Sequence, residues 1–128
     1  MSKWLDITAL TLYCGLIYWL SSQKFLPAQS LFSVQDKVEH AGAYFIMSLL
    51  AWRCFRHGIT QAIFVFWWAV GFCSFYGATD EWHQSFVVGR NASSLDWLAD
   101  SLGASLAMII LYLFKRKVLK KSLFSISS

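Results

Sequence analysis

Four runs of apolar residues, each close to the length that crosses a bilayer, dominate this chain. They cover approximately residues 4–20, 38–55, 59–79 and 95–114. A helix needs about 20 apolar residues to span the hydrocarbon. None of the runs has the one-sided apolar stripe of a soluble amphipathic helix, and the third is apolar all round. Lipid requires each segment to satisfy its own backbone hydrogen bonds. The single proline, Pro27, falls between the first two runs, so each run can do so as a helix. Composition agrees: 57% of residues are hydrophobic and 14% charged, where soluble domains carry about a quarter charged residues. The expected fold is all-α, an integral membrane four-helix bundle forming one domain over residues 1–128, with a basic tail from residue 115. The first run lacks a strong basic leader and a small-x-small cleavage site, so a retained helix is expected rather than a signal peptide.

Charge asymmetry sets an expected orientation. Four spans put both termini on one side, with Lys3, Arg53, Arg56 and the cluster Lys115, Arg116, Lys117, Lys120 and Lys121. The other side holds only Lys24, Lys37 and Arg90. The positive-inside rule then places both termini in the cytoplasm. All the acids except Asp6 fall at or near the opposite, outer side. The net charge of +4 calls for no nucleic acid, because a juxtamembrane Lys/Arg tail anchors on anionic lipid at about 1 kcal/mol per charge. Cys14, Cys54 and Cys73 lie in or beside different runs without metal-knuckle or disulfide spacing. Trp4, Trp19, Trp52, Trp82 and Trp97 fall near expected helix ends, as an aromatic belt does, while Trp67 and Trp68 lie deeper and face lipid or pack.

From the end of the third run into the start of the fourth the chain concentrates Asp80, Glu81, Arg90, Asp96 and Asp100. An ionised group costs roughly 2.5–3.5 kcal/mol at mid-membrane, so polar clusters there have a purpose. Helical spacing shows which groups share a face. Asp36, His40, Tyr44 and Ser48 form one stripe, Tyr76, Asp80 and Gln84 a second with Glu81 above Gly77, and Asp96, Asp100, Gly103 and Ala107 a third. Ala99, Gly103 and Ala107 repeat every four positions, the pattern that lets membrane helices approach closely. Gly89 permits a turn, and Ser93 or Ser94 can cap the fourth helix.

These groups also have purely structural uses. Asp96 suits a helix dipole, Arg90 a salt bridge to Asp80, Glu81 or Asp96, His40 an interhelical hydrogen bond, and Lys37 a snorkel to headgroups.

The pattern Asp36-Lys37-x-x-His40-x-x-x-Tyr44, then Asp80-Glu81-x-x-Gln84, Gly89-Arg90, Ser94-x-Asp96 and Gly103 resembles the signature of the VanZ-like family of bacterial membrane proteins. Two positions depart from it: Asp100 stands where an asparagine is usual, and Val88 replaces a proline. The resemblance implies a small helical protein of the bacterial cytoplasmic membrane, and its founding member is associated with resistance to the glycopeptide teicoplanin. It supplies no reaction.

Three functions remain open on the residues. In the first, the outer cluster binds a cell-envelope lipid or its headgroup. Arg90 and Lys37 would grip an anion, while Asp36, Gln84, Asp96, Asp100 and His40 read hydroxyl or amine groups. In the second, the cluster is catalytic, with Glu81 or Asp80 as general base, His40 as acid or base and Arg90 stabilising negative charge. No spacing of the HExxH kind supports a metal, and neither metal nor cofactor is expected. The third is assembly with a partner, for instance a second copy through Ala99, Gly103 and Ala107. A transmembrane ion route is disfavoured, because the inner halves of the runs are poor in polar residues.

Overall fold

The computed structural model describes residues 2–23 and 34–126, with side chains described as far as Arg116. Pro27, Lys24 and the side chains of Lys117, Lys120 and Lys121 therefore lie outside the described residues. Four helices make up the fold: α1 (Lys3–Ser21), α2 (Val34–Phe55), α3 (Ala62–Gln84) and α4 (Ser94–Ile126). No strand occurs among the described residues, in line with the all-α expectation. Antiparallel order is fixed by contacts at the ends, where Asp6 at the start of α1 meets Arg53 at the end of α2, and His40 near the start of α2 meets Asp100 near the start of α4.

The helices outrun the apolar runs that betray them. α2 begins at Val34 and not near residue 38, and α3 continues to Gln84, past the expected end near residue 79. α4 extends to Ile126, so the basic segment after residue 115 continues the helix. The reason is simple: hydropathy marks where lipid ends, whereas Lys, Arg, Leu, Glu and Gln are good helix formers in water as well. Consequently Asp80, Glu81 and Gln84 sit on a rigid helix rather than a loop.

By length and composition α1, α3 and residues 94–116 of α4 are apolar enough to cross a membrane. α2 falls outside that set, because Asp36, Lys37, Glu39 and His40 crowd its opening turns. It compensates by position. α2 packs on each of the other three helices, most extensively on α4, while α1 and α4 do not meet among the described residues.

The interior is built from small and flexible side chains. Ala51, Ala69, Cys73, Ala104 and Ala107 pack with Tyr44, Met47 and Met108. Gly103 sits directly against the carbonyl of Ala41, where any Cβ would collide with the α2 backbone. Gly103 and Ala107 are thus buried in the chain's own α2–α4 contact, the close approach that small residues permit. Large apolar groups instead cover the outside, among them Trp4, Leu12, Trp67, Trp68, Phe75 and Leu113. Hydrogen bonds from side chain to backbone lace the helices together: Tyr13 Oη donates to Ala43 O at 3.0 Å, and Tyr76 Oη to Cys14 O at 2.7 Å. All three cysteines are free thiols.

Candidate functional site at the polar end of the bundle

The C-termini of α1 and α3 and the N-termini of α2 and α4 gather at one end, and the groups singled out by helical spacing converge there. The buried stripe of α3 runs Val65, Ala69, Cys73, Gly77 and then Asp80, Glu81 and Gln84. The apolar periodicity that packs the helix therefore carries its carboxylates inward with it. Asp80 is held within its own helix, Gln84 Nε2 donating to its Oδ2 at 3.0 Å.

The α3–α4 connection is short and well determined by its chemistry. Gly89 turns the chain with φ of 84°, a conformation that costs a residue without a Cβ little. Ser93 then caps α4, its hydroxyl accepting from Asp96 N at 3.3 Å. The backbone N–H of Ser93 itself donates to Glu81 Oε2 at 2.6 Å. Glu81 thereby ties the end of α3 to the start of α4.

Three further contacts join α2 to α4. Lys37 Nζ bonds Asp36 Oδ2 at 3.2 Å and also bonds Asp96 Oδ1 across the helix pair. The Lys37 ammonium is thus clasped between two acids, and Asp96 serves both the α4 first turn and this pair. One turn deeper, His40 Nδ1 lies 2.9 Å from Asp100 Oδ1. Asp100 is fully buried, and its carboxylate rests over Gly77, where a Cβ would come within 2.8 Å of Oδ2. Gly77 is the cradle that lets a carboxylate sit between α3 and α4.

Among the described residues Arg90 does not make the expected salt bridge to Asp80, Glu81 or Asp96. Its described hydrogen bonds run from Nε to Gln23 O and from Nη2 to Leu20 O, both at 3.1 Å. These carbonyls lie at the C-terminus of α1, where the helix dipole favours a cation, and Leu20 O also accepts from Gln23 N at 3.2 Å. Arg90 thus fastens the α3–α4 loop to α1. His83, which spacing did not single out, joins the same region: Nε2 lies 3.0 Å from Ser22 Oγ and its ring packs on Tyr18 at 4.6 Å.

Beside Glu81 lies an open groove of about 350 Å³, lined by Ala78, Glu81, Trp82, Ser85, Ser93 and Trp97 among others. Its walls are mixed. Trp82 and Trp97 are exposed indoles, while Glu81 is only 7% exposed. The described donor atoms of His40, Glu81 and Asp100 lie within 4.8 Å of one another, as do those of Asp36, His40 and Asp96. Either trio could hold a metal ion by distance. In the first, Glu81 Oε1 and Asp100 Oδ2 are buried without a hydrogen-bond partner among the described residues.

A buried polar layer assembled from α2, α3 and α4, in the order and spacing found here, is what a family profile can recognise. The profile of the VanZ/LLP1 family matches residues 9–115. The chain belongs to the VanZ/LLP1 family. Neither a curated protein nor a solved structure matches it significantly. Membership makes it a membrane protein of a family linked to glycopeptide resistance. The match begins within α1 and ends in the middle of α4, so it takes in every residue of the polar layer in this VanZ/LLP1 protein.

The opposite end holds a second charged group that the spacing argument missed. Asp6, 2% exposed, accepts from Arg53 Nε at 2.9 Å and lies 2.8 Å from His57 Nε2 through its other oxygen. A sequence signal existed: Asp6 is the lone acid at an end otherwise rich in Lys and Arg.

Proposed function

We propose that this VanZ/LLP1 protein binds a cell-envelope lipid at the outer face of the bacterial cytoplasmic membrane, taking the polar headgroup at Glu81. The bundle would be inserted with both termini in the cytoplasm. The observation that carries the reading is the groove at Glu81, which sets a nearly buried carboxylate against exposed indole walls. Such a surface suits an amphipathic ligand: Trp82 and Trp97 sit at headgroup depth as interfacial indoles do, and the acyl chains stay in lipid. Glu81 Oε1, buried and without a partner, accepts a hydrogen bond from a headgroup hydroxyl or amine, which completes a costly unsatisfied group. Arg90, Lys37, Asp36 and Asp96 hold the groove's shape by tying α1, α2 and α4 together. Altered handling of an envelope lipid would connect the site to glycopeptide susceptibility at the level of the family.

A second reading makes the site catalytic on the same lipid. It is favoured by the buried His40–Asp100 pair at 2.9 Å, which orients an imidazole beside Glu81 as acid–base pairs require. Comparative lipid mass spectrometry tests both. Membranes from cells with the gene intact, deleted, or carrying Glu81→Gln are compared. A headgroup species that changes on deletion, and is not restored by Glu81→Gln, supports lipid handling at this site. Turnover of that purified species by the isolated protein selects the catalytic form. A lipid profile identical in all three strains contradicts the catalytic form and favours a binding or assembly role.

A further inference from the structure

The polar end contains a carboxylate imbalance that hydrogen bonding within the chain does not resolve. Glu81 uses Oε2 for Ser93 N and Asp100 uses Oδ1 for His40. Their second oxygens, Glu81 Oε1 and Asp100 Oδ2, are buried and have no partner among the described residues. The residues are 7% and 0% exposed, so water does not reach them as it reaches a surface acid. Removing a carboxylate oxygen from water without pairing it is expensive, and here ligand atoms of both acids and of the His40 imidazole lie within 4.8 Å of one another. The hydroxyl of Tyr44, one turn below His40, is buried and unpartnered as well.

The neighbouring trio shows the contrast. Asp36 and Asp96 also flank His40 with donor atoms at metal-compatible distances, but the ammonium of Lys37 already lies between them. That pair of acids has its cation built in. Among the described side chains His40 is the one titratable base beside Glu81 and Asp100, and it pairs with Asp100.

We propose that His40, Glu81 and Asp100 form a binding site for a single divalent metal ion. One imidazole and two carboxylates make a mixed nitrogen–oxygen donor set. Such a set suits Zn²⁺ or Mn²⁺, whereas Mg²⁺ and Ca²⁺ favour oxygen ligands alone. The three donors come from three helices, α2, α3 and α4, so no local motif announces them. With three protein ligands, coordination positions remain for a water or for an oxygen of a headgroup, as at open metal sites. Gly77 has a defined part in this. Its missing side chain leaves the space that Asp100 occupies, within reach of the other two ligands.

The test uses the full chain, purified in detergent, stripped with chelator and loaded with Mn²⁺ or Zn²⁺ without added lipid. Elemental analysis after desalting should find one ion per chain. Pulsed electron paramagnetic resonance of the Mn²⁺ form should show coupling to a ¹⁴N nucleus. His40→Ala should remove that coupling, and Glu81→Gln and Asp100→Asn should each weaken loading by tenfold or more, at least the roughly 10–100-fold that losing even an outer-shell partner costs. His83→Gln, outside the trio, should load like the unaltered protein. No retained ion in the unaltered chain overturns the proposal. So does an ion without ¹⁴N coupling, or one held equally well by Glu81→Gln and Asp100→Asn. Because the unaltered protein alone gives the stoichiometry and the coupling, a variant that fails to fold does not remove the test. The ion site shares Glu81 with the groove proposed for the headgroup, but the two are separable. Absent ion binding leaves the lipid comparison standing, and an unchanged lipid profile leaves the ion count standing.

Discussion

The two ends of the bundle each bury a carboxylate beside a histidine, and they do so in opposite ways. At the Asp6 end one acid is surrounded by donors: Arg53 takes Oδ1 and His57 faces Oδ2. At the other end Glu81 and Asp100 share one histidine, and each keeps a buried oxygen without a partner. The first arrangement is complete within the chain and clamps α1 to α2. The second is not complete among the described residues. A protein sustains an unsatisfied buried group where function needs it and recovers the stability elsewhere. Partner accounting, more than burial or charge alone, therefore separates the clamp from the candidate site.

Substitutions should respond accordingly. The largest loss of folded protein is expected from Asp6→Ala. It leaves Arg53 and His57 facing each other without their acid, and should lower the amount of folded protein in membranes several-fold, measured by size-exclusion profile after extraction. A folded yield equal to the unaltered chain would remove the clamp from the account. Gly77→Ala should have an intermediate effect. Its Cβ would press within 2.8 Å of Asp100 Oδ2, so the carboxylate must shift, at a stability cost of about 1 kcal/mol, the lower end for overpacking. Loss of the lipid phenotype should exceed that modest cost. A variant with the full phenotype would show that the position of Asp100 is not critical. Ser93→Ala should do least, removing a cap worth about 1 kcal/mol while the Ser93 backbone N–H still reaches Glu81. A small fall in melting temperature with the lipid phenotype kept is the expected result.

Much of this was legible from residue spacing, and the omissions are physically instructive. Apolar runs located all four helices because lipid imposes their length. The i, i+4 stripes correctly grouped Asp36 with His40 and Tyr44, and Asp96 with Asp100, Gly103 and Ala107, since helix geometry fixes those relations locally. Ser93 as the α4 cap and Gly89 as the turn followed from backbone preference. What spacing could not supply was pairing between helices. Lys37 with Asp96 and His40 with Asp100 lie 59 and 60 residues apart, and only packing sets their register. Arg90 is the sharper case, because its described partners are backbone carbonyls of Leu20 and Gln23, which leave no mark in a sequence. Helix ends were misjudged for a related reason: Glu81 and Gln84 end the apolar run without ending the helix.

The central claim is that one buried acid holds the bundle together while the other serves a ligand. A side-by-side comparison of Asp6→Asn and Glu81→Gln tests it most directly, with thermal unfolding in detergent and the membrane lipid profile measured on the same strains. The account predicts that Asp6→Asn unfolds at lower temperature, with any lipid change in proportion to the protein lost. Glu81→Gln should unfold at or above the temperature of the unaltered chain while its lipid profile matches that of the deletion. A destabilised Glu81→Gln with a normal lipid profile would contradict the account, making both ends structural.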